Sequence, residues 1–288
     1  MVKTLSPNVR DRRLLWTLSL SAATAAGLLL LILIFLAKEA WPVLSTVGVT
    51  SFVMDSSWHP LEGTFGLTPM LAASVAMSAL AILIAAPLGV ALALFCRFYA
   101  MGPVARLFRW AVVLLAGIPS VVLGLWGLTT LVPLINDLRA PGTSLLAGSV
   151  VLALMILPTI ALTTEAALTS VSQSYWTGAS ALGLSREAII LAVALPTARN
   201  SIAAGVLLAS ARALGETMAV LMVSGNVVQL PSSLFDPVRT LTANIALEMA
   251  YATGTHRASL FVSGLALTLL VLALAAAARR SGGQVVHA

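Results

Sequence analysis

Apolar residues run through this chain in six blocks, each long enough to cross about 30 Å of hydrocarbon as a helix. They cover approximately residues 14–37, 67–95, 110–135, 144–163, 201–223 and 258–278. Polar residues gather between the blocks instead of alternating within them, so the pattern predicts membrane-spanning helices, not strands. The first block is too long for a signal-peptide core and lacks a convincing cleavage site, so it is expected to remain as a helix. The fold expected is an all-α integral membrane protein. One six-helix domain over 14–278 lies between tails at 1–13 and 279–288.

The segments between blocks set the orientation. Lys3, Arg10, Arg12, Arg13, Arg97, Arg106, Arg109, Arg186, Arg199, Arg279 and Arg280 fall on the side that carries the N-terminus. Lys38, Arg139, Arg239 and Arg257 fall on the other side, and Arg212 lies within a block. The positive-inside rule therefore puts both termini in the cytoplasm. Three loops stand out: outer loops over about 38–66 and 224–257, and a polar inner loop over about 164–200. Trp41, Trp58 and Trp110 read most simply as interfacial anchors.

Composition agrees. The chain of 288 residues is 59% hydrophobic and 9% charged, against about 25% charged in soluble domains. Its mean hydropathy is +1.02. The 16 Lys and Arg residues are dispersed beside apolar blocks, so the basic balance reads as membrane orientation and not as nucleic-acid binding. One cysteine, Cys96, excludes an internal disulfide and a cysteine metal site. His59, His256 and His287 share no ligand spacing, and no Gly-x-x-x-x-Gly-Lys-Ser/Thr sequence is present to hold a nucleotide.

Against that background Arg212 and Glu216 are anomalous. On a continuous fifth helix they lie one turn apart on one face, and the fifth span alone carries intramembrane charge. Each ionisable group near the bilayer centre costs about 2.5–3.5 kcal/mol on insertion scales. Two readings follow: an ion pair that locks helices, or a polar route for a substrate. Gly117, Pro119, Gly124, Gly127 and Pro158 fit close helix packing better than a hinge. Asp236 and Arg239, in the sequence FDPVRT, suggest a local turn with an Asp–Arg contact.

The inner loop reads as two short helices around a turn at Gly183-Leu184. Ser185 can cap the second, Glu187 suits its first turn, and Pro196 ends or bends it before the next span. Such an elbow can insert into a soluble partner or rest on lipid headgroups. Thr177-Gly178-Ala179, Gly183 and Val193-Ala194-Leu195-Pro196 keep the spacing of the cytoplasmic signature of ABC importer permeases, EAA, three residues, Gly, nine residues, I-x-L-P. Thr177 stands where that family has Glu. Glu165-Ala166-Ala167 upstream lacks the Gly and Leu-Pro at the required distances.

The chain resembles the PstC-type permeases of phosphate ABC importers more specifically. ARALGETMAVLMVSGN from Ala211, LFDPVRTLTANIA, LLAGIPSVVLGLWGL from Leu114 and LMILPTIALTTEAAL from Leu154 carry the likeness. The resemblance implies the type I importer permease fold and residence in the bacterial plasma (inner) membrane. It implies three kinds of partner besides the bilayer: a second permease of the PstA type, an ATPase dimer, and an extracytoplasmic phosphate-binding protein. ATP and Mg would bind the ATPase, with no cofactor on this chain and no enzymatic step of its own. It implies a substrate path at Arg212, Glu216 and Thr217. Coupling to the ATPase falls on Thr177, Gly178, Ala179, Gly183, Leu184, Arg186, Leu195 and Pro196. Asp236 and Arg239 become an outer gate or docking point. A relative importing molybdate or sulfate would keep the elbow without sharing GETMAV and FDPVRT together. A stand-alone ion-coupled transporter would place acids on several spans.

Overall fold

The computed structural model describes residues 9–282. Thirteen α-helices form in chain order among the described residues. α1 (Val9–Val47), α2 (Val49–Met54), α3 (Thr68–Leu94) and α4 (Gly102–Gly117) come first. They are followed by α5 (Ser120–Trp126), α6 (Val132–Leu138), α7 (Leu145–Thr169), α8 (Gln173–Ala181) and α9 (Arg186–Ile189). α10 (Leu195–Gly215), α11 (Met218–Val223), α12 (Leu241–Glu248) and α13 (Gly254–Gly282) complete the chain. The fold is all-α as expected, with one small antiparallel hairpin of β1 (Trp58–His59) and β2 (Thr64–Phe65) between α2 and α3.

Six helical runs among the described residues are long and apolar enough to span a membrane. Their bounds depart from the hydropathy pattern in instructive ways. α1 continues to Val47, ten residues beyond the first expected block, so Trp41 stands on a helix, not in a loop. The expected tails also shorten: residues 9–13 are already helical and α13 runs to Gly282, while 1–8 and 283–288, with Lys3 and His287, lie outside the described residues.

The third expected block is two helices. Ile118 is extended (φ −69°, ψ 127°) between α4 and α5, as a residue before proline tends to be, here Pro119. The span proper is Ser120–Leu138. Pro196, by contrast, does not end its helix. α9 runs through one π-helical turn (Ile190–Ala194) into α10, so the elbow's second helix and the fifth span form one rod, Arg186–Gly215. A π-helical turn also precedes Pro133, over Gly127–Leu131. The wider i→i+5 turn rearranges the ladder where proline lacks an N–H and would clash with the preceding turn.

Three apolar clusters stack along the molecule. The outer one joins Ala40, Val43, Phe52, Trp58, Phe65, Leu241 and Leu260 from α1, α2, the hairpin, α12 and α13. The middle one unites α3, α5, α7, α10 and α11 around Met77, Leu152, Ile156, Ala213 and Val220. The inner one seats Leu168 and Ala194 beneath Phe98 and Trp176. Small residues bring helices close, as membrane packing requires. A Cβ on Gly124 would stand 2.8 Å from the Ala219 Cα on α11, and one on Gly127 2.7 Å from Val151 Cγ2 on α7. Both glycines therefore serve contact, whereas Gly117 has open space and adjoins the chain break.

Gly124→Val should force α5 off α11, with a loss of about 1–3 kcal/mol typical of overpacking. Thermal melting of the detergent-purified protein should fall clearly below wild type, while Gly117→Val, placed in open space, should melt closer to it.

Candidate functional site

The fifth span breaks beside its charges. α10 ends at Gly215, Glu216 is extended (φ −70°, ψ 133°), and α11 starts at Met218. Arg212 and Glu216 therefore do not share a helix face, and no ion pair joins them among the described residues. This corrects the expected Arg212–Glu216 pair. The Glu216 carboxylate instead accepts the Ala219 N–H (3.4 Å), closing the first turn of α11. Its backbone carbonyl, freed by the break, accepts Thr242 Oγ1 (2.9 Å) from the first turn of α12. Thr217 donates to the Gly215 carbonyl (3.3 Å). Arg212 is exposed on the isolated chain and has no hydrogen-bond partner among the described residues. It lies 13 positions beyond Arg199 on the same helix, about 20 Å along the fifth span.

The expected outer loop 224–257 is a folded cap. Its carbonyls take N–H groups that the start of α7 leaves free: Asp236 accepts from Leu145 (2.9 Å) and Leu234 from Leu146 (2.8 Å), while Val223 at the end of α11 accepts from Ser144 (3.1 Å). The Asp236 carboxylate accepts Ser232 Oγ (2.6 Å) and the N–H groups of Ser232 and Ser233 (3.0 and 2.8 Å). Those bonds, the Ser232 hydroxyl first, hold its carboxyl below the ordinary value of 3.8. It makes no bond to Arg239, so the expected Asp–Arg turn is also corrected.

Arg239 reaches the other way. Its Nε donates to the Asn226 carbonyl (2.9 Å), and its Nη1 to Asn244 Oδ1 (3.2 Å) and Glu248 Oε1 (2.7 Å). Glu248, only 7% exposed, also accepts Trp58 Nε1 (3.0 Å) and lies 2.8 Å from His256 Nε2. Trp58 is thus a buried hydrogen-bond donor and not an interfacial anchor, while Trp41 and Trp110 stay exposed. Asn226, left-handed at φ 55°, donates from Nδ2 to the Leu221 carbonyl of α11 (2.8 Å).

On the opposite side α8 and α9 form the expected elbow. Gly183 turns the chain at φ 74°. Ser185 Oγ accepts the Ala188 N–H (3.2 Å), and Glu187 sits in the same first turn. Thr177 and Gly178 are exposed, with Thr177 Oγ1 donating back to Gln173 and Ser174 carbonyls (both 3.2 Å). Ala179 is buried, and the Leu184 N–H returns to its carbonyl (3.3 Å). Arg186 stacks over Tyr99 (5.1 Å) at the rim of an open cavity of about 410 Å³ that also exposes Arg97 and Trp176. Leu195 packs into the inner cluster, and Pro196 lies with it in the continuous rod, away from the elbow tip. A second charge pair lies near this side: Glu165 on α7 bonds Arg109 on α4 (2.5 Å). The fifth span is therefore not alone in carrying charge.

A family model described as the binding-protein-dependent transport system inner membrane component matches residues 85–282. The chain belongs to this family. Among its relatives, the phosphate transport system permease protein PstC of Mesorhizobium japonicum is 37% identical over 281 residues, 87% of this chain and 86% of its own. The probable ABC transporter permease YqgH of Bacillus subtilis is 42% identical over 211 residues, 72% of this chain and 68% of its own. Among solved structures, an inward-facing MetNI methionine ABC transporter chain aligns with TM-score 0.59 at 21% identity, covering 80% of this chain and 100% of its own. A chain of an alginate ABC importer aligns with TM-score 0.59 at 15% identity, covering 96% of this chain and 100% of its own. These likenesses fix the fold as that of ABC importer permeases. The permease is an inner-membrane transport subunit, not an enzyme, and its fold implies an ATPase and a binding protein as partners.

Sequence reasoning missed the Glu248 cluster. An acid inside the apolar run ANIALEMA was the available signal, since such a group needs a buried partner. Its partner Trp58 lies 190 residues away, which spacing within one sequence does not reveal.

Gly183→Val should strain the elbow turn, because a β-branched residue is disfavoured at that φ by about 1–2 kcal/mol. Co-purification of the permease with its ATPase should then drop, while Gly178→Ala, in open helical surroundings, should leave it intact.

Proposed function

We propose that this permease is the PstC-type subunit of an ATP-driven, binding-protein-dependent importer of inorganic phosphate. The observation carrying the proposal is Arg212, a guanidinium inside the fifth span that pairs with no acid among the described residues. A rigid fork of donors left open in low dielectric suits a phosphate oxyanion, and the relatives named for phosphate transport agree with that chemistry. Glu216 stays out of the anion's way by closing α11, and Thr217 contributes a hydroxyl at the same break.

The remaining assignments follow. The second permease is of the PstA type and covers the Arg212 face. Both termini are cytoplasmic, and residues 14–278 act as one transmembrane domain. An ATPase dimer, which holds ATP and Mg, grips the elbow through Thr177, Gly178, Gly183, Leu184 and Arg186, with Ala179, Leu195 and Pro196 supporting it from within. The extracytoplasmic phosphate-binding protein docks on the cap carrying Asp236 and Arg239. ATP-driven closure pulls on the elbow, and the rod Arg186–Gly215 carries that displacement to the break beside Arg212.

Arg212→Ala should lower phosphate uptake by at least about 100-fold, equivalent to about 2.8 kcal/mol at 1.4 kcal/mol per decade, with the complex still assembled. Glu216→Gln, which keeps a side-chain acceptor for Ala219, should retain more uptake than Arg212→Ala. The assay is radiolabelled phosphate uptake in cells lacking the wild-type chain, with molybdate and sulfate as competitors. Normal uptake in the arginine variant, or full competition by either oxyanion, would overturn the proposal.

A further inference from the structure

We propose that Glu248 is a positioning residue for transport, holding α11 and therefore the helix break beside Arg212 in its working geometry. α11 has six residues, too few to be a stable helix alone, and it is tied at both ends to one outer assembly. At its outer end the Leu221 carbonyl accepts Asn226 Nδ2 (2.8 Å), the Asn226 carbonyl accepts Arg239 Nε (2.9 Å), and Arg239 Nη1 donates to Glu248 (2.7 Å). At its inner end the Glu216 carbonyl accepts Thr242 Oγ1 (2.9 Å), and Thr242 stands in the first turn of the helix that Glu248 ends. Glu248 is anchored in turn by Trp58 of the first outer segment and by His256 at the start of α13. One buried carboxylate thus joins Trp58, Arg239 and His256 to the assembly that holds the two ends of α11.

Glue alone would not need this chemistry. A buried charge cluster contributes little stability beyond what packed apolar residues of equal volume supply, and the outer apolar cluster already surrounds it. What directional bonds add is a fixed orientation. A displacement of the outer cap, where a binding protein would dock, therefore moves α11 and the Glu216 break with it. The residues of the path do not touch Glu248, which acts on them through Arg239 and Thr242.

The test uses the full complex in proteoliposomes with loaded binding protein. Mutations along such a network weaken coupling without abolishing it, so Glu248→Gln and Thr242→Val should each cut the maximal phosphate uptake rate by about tenfold. The KM for binding protein should stay within about twofold, because a positioning role acts on turnover and not on docking. Thr242→Ser, which restores the hydroxyl, should recover most of the rate. This inference rests on the phosphate reading above, and a second readout separates their failures. Met218→Cys places a thiol at the exposed first position of α11, and adding Glu248→Gln should speed its reaction with an aqueous maleimide whatever anion is carried. No phosphate uptake by wild type would sink the phosphate reading alone. An unchanged uptake rate with unchanged labelling, a rise in KM only, or loss of assembly in every variant would overturn the role of Glu248.

Discussion

A helix that stops inside hydrocarbon frees backbone groups that water cannot reach, and each must find a partner within the protein. The break after Gly215 is possible because Thr242 donates to the Glu216 carbonyl and Glu216 closes the turn that follows. The rest of the outer half is arranged around that requirement. Residues 224–240 leave the top of α11, satisfy the first turn of α7 with the Leu234 and Asp236 carbonyls, and return so that α12 starts at the depth of the break. Ser74 of α3 accepts the Leu241 N–H (3.0 Å) and fixes the same helix start from the other side.

The cytoplasmic half meets a different constraint. Motion at the elbow reaches the membrane centre only if the segment between them is stiff. The π-helical turn over Ile190–Ala194 keeps α9 and α10 continuous where Pro196 would otherwise break the ladder. Gly205 brings the rod against Thr163 of α7, so it slides or tilts along a close contact instead of a loose one. Arg109–Glu165 ties α4 to the inner end of α7 and steadies the wall on that side.

Much of this was legible in the sequence because length and apolar content determine spans regardless of partners. The elbow was legible because Gly183, Ser185 and Glu187 act locally, through a positive φ, a cap and a dipole. The breaks were less so. Ile118-Pro119 carried a local signal, but hydropathy averages over it, and Gly215–Thr217 carries none, since its interruption is stabilised by Thr242, 26 residues onward. The same holds for Trp58: an indole near an apolar block looks like an interfacial anchor until the fold brings Glu248 to its N–H. Long-range polar pairing was the part that one sequence withheld.

The two charges that first mark the fifth span end with unequal physical standing. Glu216 is accounted for within the chain, since its carboxylate closes α11 and its carbonyl is bonded. Arg212 is not. An exposed guanidinium some 20 Å along the helix from Arg199 is untenable against lipid, so the surface bearing it must face water, an anion or another polypeptide. Leu208 on the same rod and Trp126 on α5 are also exposed, large apolar side chains of the kind a second membrane subunit would cover. A path bounded by that subunit and by Arg212 satisfies both facts: apolar surroundings find a partner, and the charge lies where only a hydrated or anionic species approaches it. On the proposed reading, the phosphate route therefore runs between the two permeases rather than through either one.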